Sequence, residues 1–177
     1  MKKKILILAA HPDDETLGCG ATIAKLSQQN YDINLLTFTD GESARENAVN
    51  LNRNDCLTKV SKILNIKDFK CGDFPDNKFD TIPLLEIIKS IEKVKKDFNP
   101  KIVFTHHLGD VNIDHQLTFQ AVCTACRPLQ GETVNSIISF ETLSGTEWIA
   151  SSDPRKFTPN FFVSLNKDQI DLKIQAM

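Results

Sequence analysis

Residues 10–15 read Ala-His-Pro-Asp-Asp-Glu, one imidazole followed by three carboxylates. His11 and Asp14 stand three apart across a turn, so their side chains can converge on one cation, while Asp13 between them points elsewhere. A second polar burst, His106-His107-Leu108-Gly109-Asp110-Val111-Asn112-Ile113-Asp114-His115, holds the other three of the four histidines. A catalytic zinc in a hydrolase typically takes imidazole and carboxylate ligands and keeps three protein ligands with an open position for water. His11, Asp14 and His115 would supply such a set. Zinc lowers the pKa of its bound water to about 7. Asp13, adjacent in sequence but off the metal, would take that water's proton, and a nearby dication favours its ionised form.

An amide is a hard target for such a site, because its carbonyl is weakly electrophilic and its nitrogen leaves badly. A second donor must share the oxyanion charge and an acid must protonate the nitrogen. Asn112, or a histidine of the His106-His107 pair, is a candidate for that donor, and Asp114 can orient a ring by accepting its N–H. Plainer roles stand beside these: His106 and His107 as surface or packed residues, Asp114 as a carboxylate favoured by a helix N-terminus. For His11, Asp13 and Asp14 together a merely structural role is disfavoured, since grouped charge beside a buried strand is costly.

The elements that must position these residues follow from hydrophobic pattern. The apolar run at 5–8 reads as a buried strand that empties at once into the first acidic loop. Further strands are expected over 33–39, 69–72, 101–105, 134–140 and 161–163, the strand at 101–105 emptying into the second polar burst. Helical spacing covers 16–29, 44–64, 82–98, 113–127 and 168–177, which puts His115 in the first turn of a helix. Strands alternating with helices predict an α/β protein, Rossmann-like, with a mostly parallel sheet and helices on both faces. Active sites of such sheets lie at the carboxyl ends of the strands, where both polar bursts fall. Gly18-Cys19-Gly20 follows its strand too late for a dinucleotide fingerprint and is read as allowing the helix start to pack closely against the acidic loop.

Composition narrows the partners. At 177 residues with a formal net charge of −2, the chain has scattered Lys and Arg, with no basic face for nucleic acid. No stretch approaches the roughly 20 apolar residues of a membrane span, and the basic start is read as a solvated edge of the first strand. A cytoplasmic location is expected, with a small molecule as partner; a homo-oligomer is left open. Five cysteines lack the spacing of a disulfide framework, and Cys123-Thr124-Ala125-Cys126 lies in an apolar helical pattern that favours core packing.

The motif 10–15 with Asp114-His115 about a hundred residues on resembles the zinc-dependent deacetylases of the PIG-L, or LmbE-like, family. Residues 18–24, Phe74-Pro75-Asp76, Thr105-His106-His107, Asn112-Ile113-Asp114-His115 and the run 144–148 are similar to bacterial members acting on sugars. The resemblance implies one zinc per chain, another divalent metal being open, held by His11, Asp14 and His115, with Asp13 as general base. It implies an N-acetylated amino-sugar substrate hydrolysed to acetate and free amine, with Arg53 and Asp76 as sugar contacts. Two departures stand out: Asn112 where some members carry an oxyanion-donating histidine, and a chain shorter than most members. Residues 1–177 are thus expected to form a single deacetylase-like domain lacking the family's C-terminal segment. A metal-dependent amidase on a thiol or other conjugate, or a catalytically impaired sugar-binding protein, are the alternatives.

Overall fold

The computed structural model describes residues 2–41 and 53–177. Five strands, β1 (Lys4–Ala9), β2 (Asp32–Thr37), β3 (Asp68–Cys71), β4 (Ile102–Thr105) and β5 (Ser136–Ser139), form one sheet in the order β3-β2-β1-β4-β5. Every pairing is parallel. The helices are α1 (Asp14–Gln28), α2 (Arg53–Leu64), α3 (Leu84–Phe98), α4 (Ile113–Ala125) and α5 (Lys167–Ala176).

The central strand explains the layering. Leu6 and Leu8 point to one face of the sheet and meet Ile87, Ile91 and Phe98 of α3 and Ala121 and Val122 of α4. Ile5 and Ile7 point to the other and meet Ile23 of α1, Leu57 of α2 and Leu172 of α5. Because successive strand residues alternate faces, an unbroken apolar run is what a strand covered on both sides requires. The α/β class and helices on both faces agree with the sequence pattern.

Several boundaries differ from the sequence reading. Helix α1 starts two residues earlier than expected, so Asp14 and Glu15 lie in its first turn, with Asp13 as N-cap at φ 118°. Residues 161–163 form no strand, and Phe161 and Phe162 are exposed. Their aromatic content suggested a strand, but the five-stranded sheet runs from β3 to β5 and does not include them. The glycines of α1 do not pack against the acidic loop: a Cβ on Gly18 would meet the Phe140 ring at 2.3 Å, and one on Gly20 would meet Lys173 of α5 at 3.3 Å. Of the expected helix at 44–64, residues 44–52 lie outside the described residues, Arg45 among them. Among the described residues, no helix is long and apolar enough to cross a membrane.

Strand order positions the site. β1 pairs with β2 on one side and β4 on the other, so the chain's path reverses direction across the sheet between β1 and β4. The crevice at such a switch point is where open α/β sheets bind ligands. The loop after β1 carries His11 and Asp13 and leads into Asp14 at the start of α1, and the loop after β4 leads to His115, so candidate ligands a hundred residues apart emerge from adjacent strands.

Candidate metal centre

Three atoms form the centre. His11 Nδ1 lies 3.1 Å from Asp14 Oδ2 and 3.2 Å from His115 Nε2, and His115 Nε2 lies 3.2 Å from Asp14 Oδ2. Ligands at bonds of about 2.0–2.1 Å around a tetrahedral ion stand about 3.3 Å apart. The triangle is therefore the size of one face of such a tetrahedron. His11, Asp14 and His115 are brought together as the sequence predicted.

Buried carboxylates set the tautomers. His115 Nδ1 faces Asp110 Oδ2 at 2.9 Å, and His11 Nε2 faces Asp114 Oδ2 at 3.2 Å and Asp76 Oδ1 at 3.3 Å. A carboxylate accepts and does not donate, so each ring can place a proton on that side and leave its other nitrogen, the one facing Asp14, to ligate a cation. Two imidazole nitrogens and one carboxylate oxygen form a donor set that suits a divalent ion such as zinc.

The protonation tendencies of the metal-free groups reflect a demand for positive charge. Burial lowers the His11 pKa, but hydrogen bonds to Asp114 and Asp14 and the charges of Asp14 and Asp76 outweigh it and raise it to about 10. His115 behaves alike: burial opposes, Asp110 and Asp14 prevail, and its pKa reaches about 9. Burial also works against ionised Asp14, yet the imidazoles of His106, His11 and His115 hold its pKa well below the usual carboxylate range.

Asp13 and Asp14 are divided by the helix start. Asp14 is 3 % exposed, whereas Asp13 is exposed. The positive φ of Asp13, rare for a residue with a side chain, reverses the chain here and separates the two carboxylates. Glu15, fully buried behind them, accepts the Asp13 N–H at Oε2 (3.1 Å) and the Thr16 hydroxyl at Oε1 (2.8 Å). Burial pushes the Glu15 carboxyl up to about 7.

A cleft of about 350 Å³ opens over the centre, lined by His11, Asp13, Asp14, Asp76, Asn112 and His115 with Ser144 at its edge. Asn112 is the N-cap of α4: its Oδ1 accepts the Asp114 N–H at 2.8 Å, which leaves the amide nitrogen as its donor end, 3.4 Å from Asn77 Oδ1. Asp76 is 3 % exposed and faces both the cleft and His11. Arg53 heads α2, and its side chain lies outside the described residues.

The other candidates for oxyanion donor fall away. His106 is fully buried, its Nε2 accepts the Ala10 N–H at 2.9 Å, and its ring stacks on His115 with centroids 3.8 Å apart. Burial and the neighbouring His115 lower its pKa to about 4, so it is a neutral acceptor that holds the end of β1. His107 accepts the Gly109 N–H and meets Phe157 edge-on, and it does not line the cleft.

Sequence reasoning missed Asp110. It singled out Asp114 as the ring-orienting carboxylate, and Asp114 does orient a ring, that of His11. Neighbours at i and i+1 on a helix do not face each other, so Asp114 cannot serve His115. That constraint, with the need of a ligating imidazole for an acceptor on its other nitrogen, was the available signal for a second buried acid nearby.

Fold and centre together define an α/β protein of the metal-hydrolase kind, with its ligands at the sheet's switch point. The family described as PIG-L, GlcNAc-PI de-N-acetylase, matches residues 6–126, and the chain belongs to that family. It is 30% identical over 99% of its length to the uncharacterized deacetylase YaiS of Escherichia coli K12, of which it spans 89%. It is 28% identical over 70% of its length to the probable N-acetyl-alpha-D-glucosaminyl L-malate deacetylase 2 of Bacillus anthracis, the match spanning 59% of that relative. The crystal structure of the conserved protein TT1542 from Thermus thermophilus superposes with a TM-score of 0.77 at 25% identity, covering 97% of this chain and 76% of that one.

Proposed function

We propose that residues 1–177 act as one domain, a zinc-dependent hydrolase that removes the acetyl group from an N-acetylated amino sugar of the N-acetylglucosamine type. Membership of the PIG-L family and relatives named as deacetylases support hydrolysis of an acetylated amine. The observation that carries the reading is the triangle of His11 Nδ1, Asp14 Oδ2 and His115 Nε2 with the exposed Asp13 carboxylate in the same cleft.

His11, Asp14 and His115 would hold the ion. When bound, a divalent metal supplies Lewis acidity for the amide carbonyl and acidifies water. Asp13 takes the proton from the attacking water and passes it to the departing nitrogen, so amide and water become acetate and amine. The Asn112 amide N–H is the donor that shares the oxyanion charge; being neutral, it cannot also act as the cationic acid. Asp114 fixes the His11 ring, and Arg53 and Asp76 contact sugar hydroxyls.

A screen of acetylated sugars and nucleotide sugars for free-amine production, with zinc added, tests the reading. We expect stoichiometric divalent metal in the zinc-replete protein. Asp13→Ala should retain it and lose turnover by about 10²–10⁴-fold, while His115→Ala should lose both metal and turnover. Zinc-replete protein without bound metal, or metal-loaded protein that binds a sugar without releasing acetate, refutes it.

A further inference from the structure

We propose that the enzyme accepts N-acyl groups longer than acetyl and seats their alkyl chain in a second, apolar cavity that shares a wall with the catalytic cleft. This rests on the deacetylase reading and names its substrate class more closely. The cavity, about 250 Å³, is walled by Leu17 of α1, Leu57 and Val60 of α2 and Ala176 of α5. Pro12, Asp13 and Leu17 line both this cavity and the cleft over the metal centre. The two spaces therefore lie on either side of the residue that handles the water proton.

The walls suit hydrocarbon. Leu57 is 2 % exposed and joins the core shared by α1, α2 and α5, with Val60 one turn along the same helix packed against it. Glu15 and Thr16 also border the space, but their side-chain oxygens are engaged with one another and with the Asp13 N–H. A cavity of about 150 Å³ holds a benzene molecule, so this one has room for a chain of about four to six carbons.

Position selects the acyl chain over the aglycone as occupant. The acyl chain begins on the carbonyl carbon that the water attacks, so its next carbons must pass beside Asp13. An aglycone is held away from the amide nitrogen by the whole sugar ring. Chemistry is unchanged along the series: the water oxygen adds to the acyl carbon, the C–N bond breaks, and a fatty carboxylate and the free amine leave. The water's proton reaches the nitrogen through Asp13, and water is the sole co-reactant.

The zinc-loaded protein is assayed with N-acetyl-, N-butyryl- and N-hexanoylglucosamine and with the hexyl glycoside of N-acetylglucosamine. A buried methylene is worth ~0.8 kcal/mol, about fourfold, so N-butyryl, with two more methylenes, should exceed N-acetyl in kcat/KM by about fifteenfold. Val60→Phe and Ala176→Phe, which fill the cavity from two helices, should each lower the butyryl-to-acetyl ratio about fivefold or more. A wild-type ratio of one or less, or a ratio that neither variant moves, overturns the proposal while leaving the deacetylase reading intact. A gain for the hexyl glycoside without one for N-hexanoyl overturns it in favour of the aglycone. No turnover of any substrate overturns the deacetylase reading and this proposal with it.

Discussion

Gly145 lies outside both polar bursts, yet the metal centre depends on its lacking a side chain. A Cβ there would stand 2.1 Å from Asp110 Oδ1 and 2.7 Å from its carboxyl carbon. Ordinary C···O contact is about 3.3 Å, so Gly145→Ala must displace the carboxylate or the loop by about 1.2 Å. The loop resists, since Gly145 N–H and Thr146 N–H both bond Thr142 O at 2.9 Å and Thr146 Oγ1 accepts the Thr142 N–H. Backbone conformation is not the obstacle, because φ is −147°. The carboxylate yields instead, and its bonds to His115 Nδ1 (2.9 Å) and to the Asn112 N–H (2.8 Å) stretch beyond hydrogen-bond length. Loss of a carboxylate behind a ligating histidine typically costs 10–100-fold in metal affinity, about 1.4–2.7 kcal/mol. Zinc competition against a chromophoric chelator reads that loss directly, and circular dichroism confirms that the variant folds. Asp110→Asn, whose amide oxygen can still accept one of the two N–H groups, should lose less. Zinc affinity within twofold of wild type in folded Gly145→Ala would refute the reasoning, because Asp110 would then not hold His115.

Two further outcomes follow from buried acids. Glu15→Ala removes the acceptor of the Asp13 N–H, so kcat should fall about tenfold or more with metal content and KM little changed, and Glu15→Gln, which keeps one accepting oxygen, should restore most of it; equal loss in both variants in steady-state kinetics would count against positioning of Asp13 by this bond. Glu132 lies 2.5 Å from the buried Lys95 ammonium, which also donates to Ala125 O. Burial raises the Glu132 pKa, but the hydrogen bonds from Lys95 and from the Val134 and Thr133 N–H groups outweigh it and leave it below the ordinary value. A lowered carboxylate pKa contributes stability above the unfolded-state pKa of about 4.3 and loses it as pH falls through the folded-state pKa. Glu132→Gln should therefore cost about 1.5–3 kcal/mol at pH 7, and the gap to wild type in urea unfolding should narrow below about pH 4; a gap independent of pH would contradict the pairing.

Much of the molecule was legible from local pattern. The apolar run ahead of His11, the amphipathic stretch of α3 and the period of α4 each specify an element whose burial is read from the order of side chains alone, because strand and helix periods are fixed by backbone geometry. The same pattern misread residues 161–163, since an apolar, aromatic triplet becomes a strand only if a sheet edge accepts it. In the site, the convergence of His11, Asp14 and His115 was recoverable because type and spacing restrict which side chains can share a metal. The choice between Asn112 and His106 as donor stayed open in the sequence, because it turns on burial of the His106 ring and on its acceptance of the Ala10 N–H from across the sheet.

By itself the sequence determined the α/β class, the two loops that carry the chemistry and the division of labour expected for Asp13 and Asp14, for these depend on residue type and short-range periodicity. Tertiary structure alone decided that β1 and β4 lie side by side, that Asp110 serves His115 while Asp114 serves His11, and that Gly145 makes room for the first of these. All but the Asp110–His115 pair join residues far apart in the chain, and which buried carboxylate reaches which ring is set by strand order and helix direction.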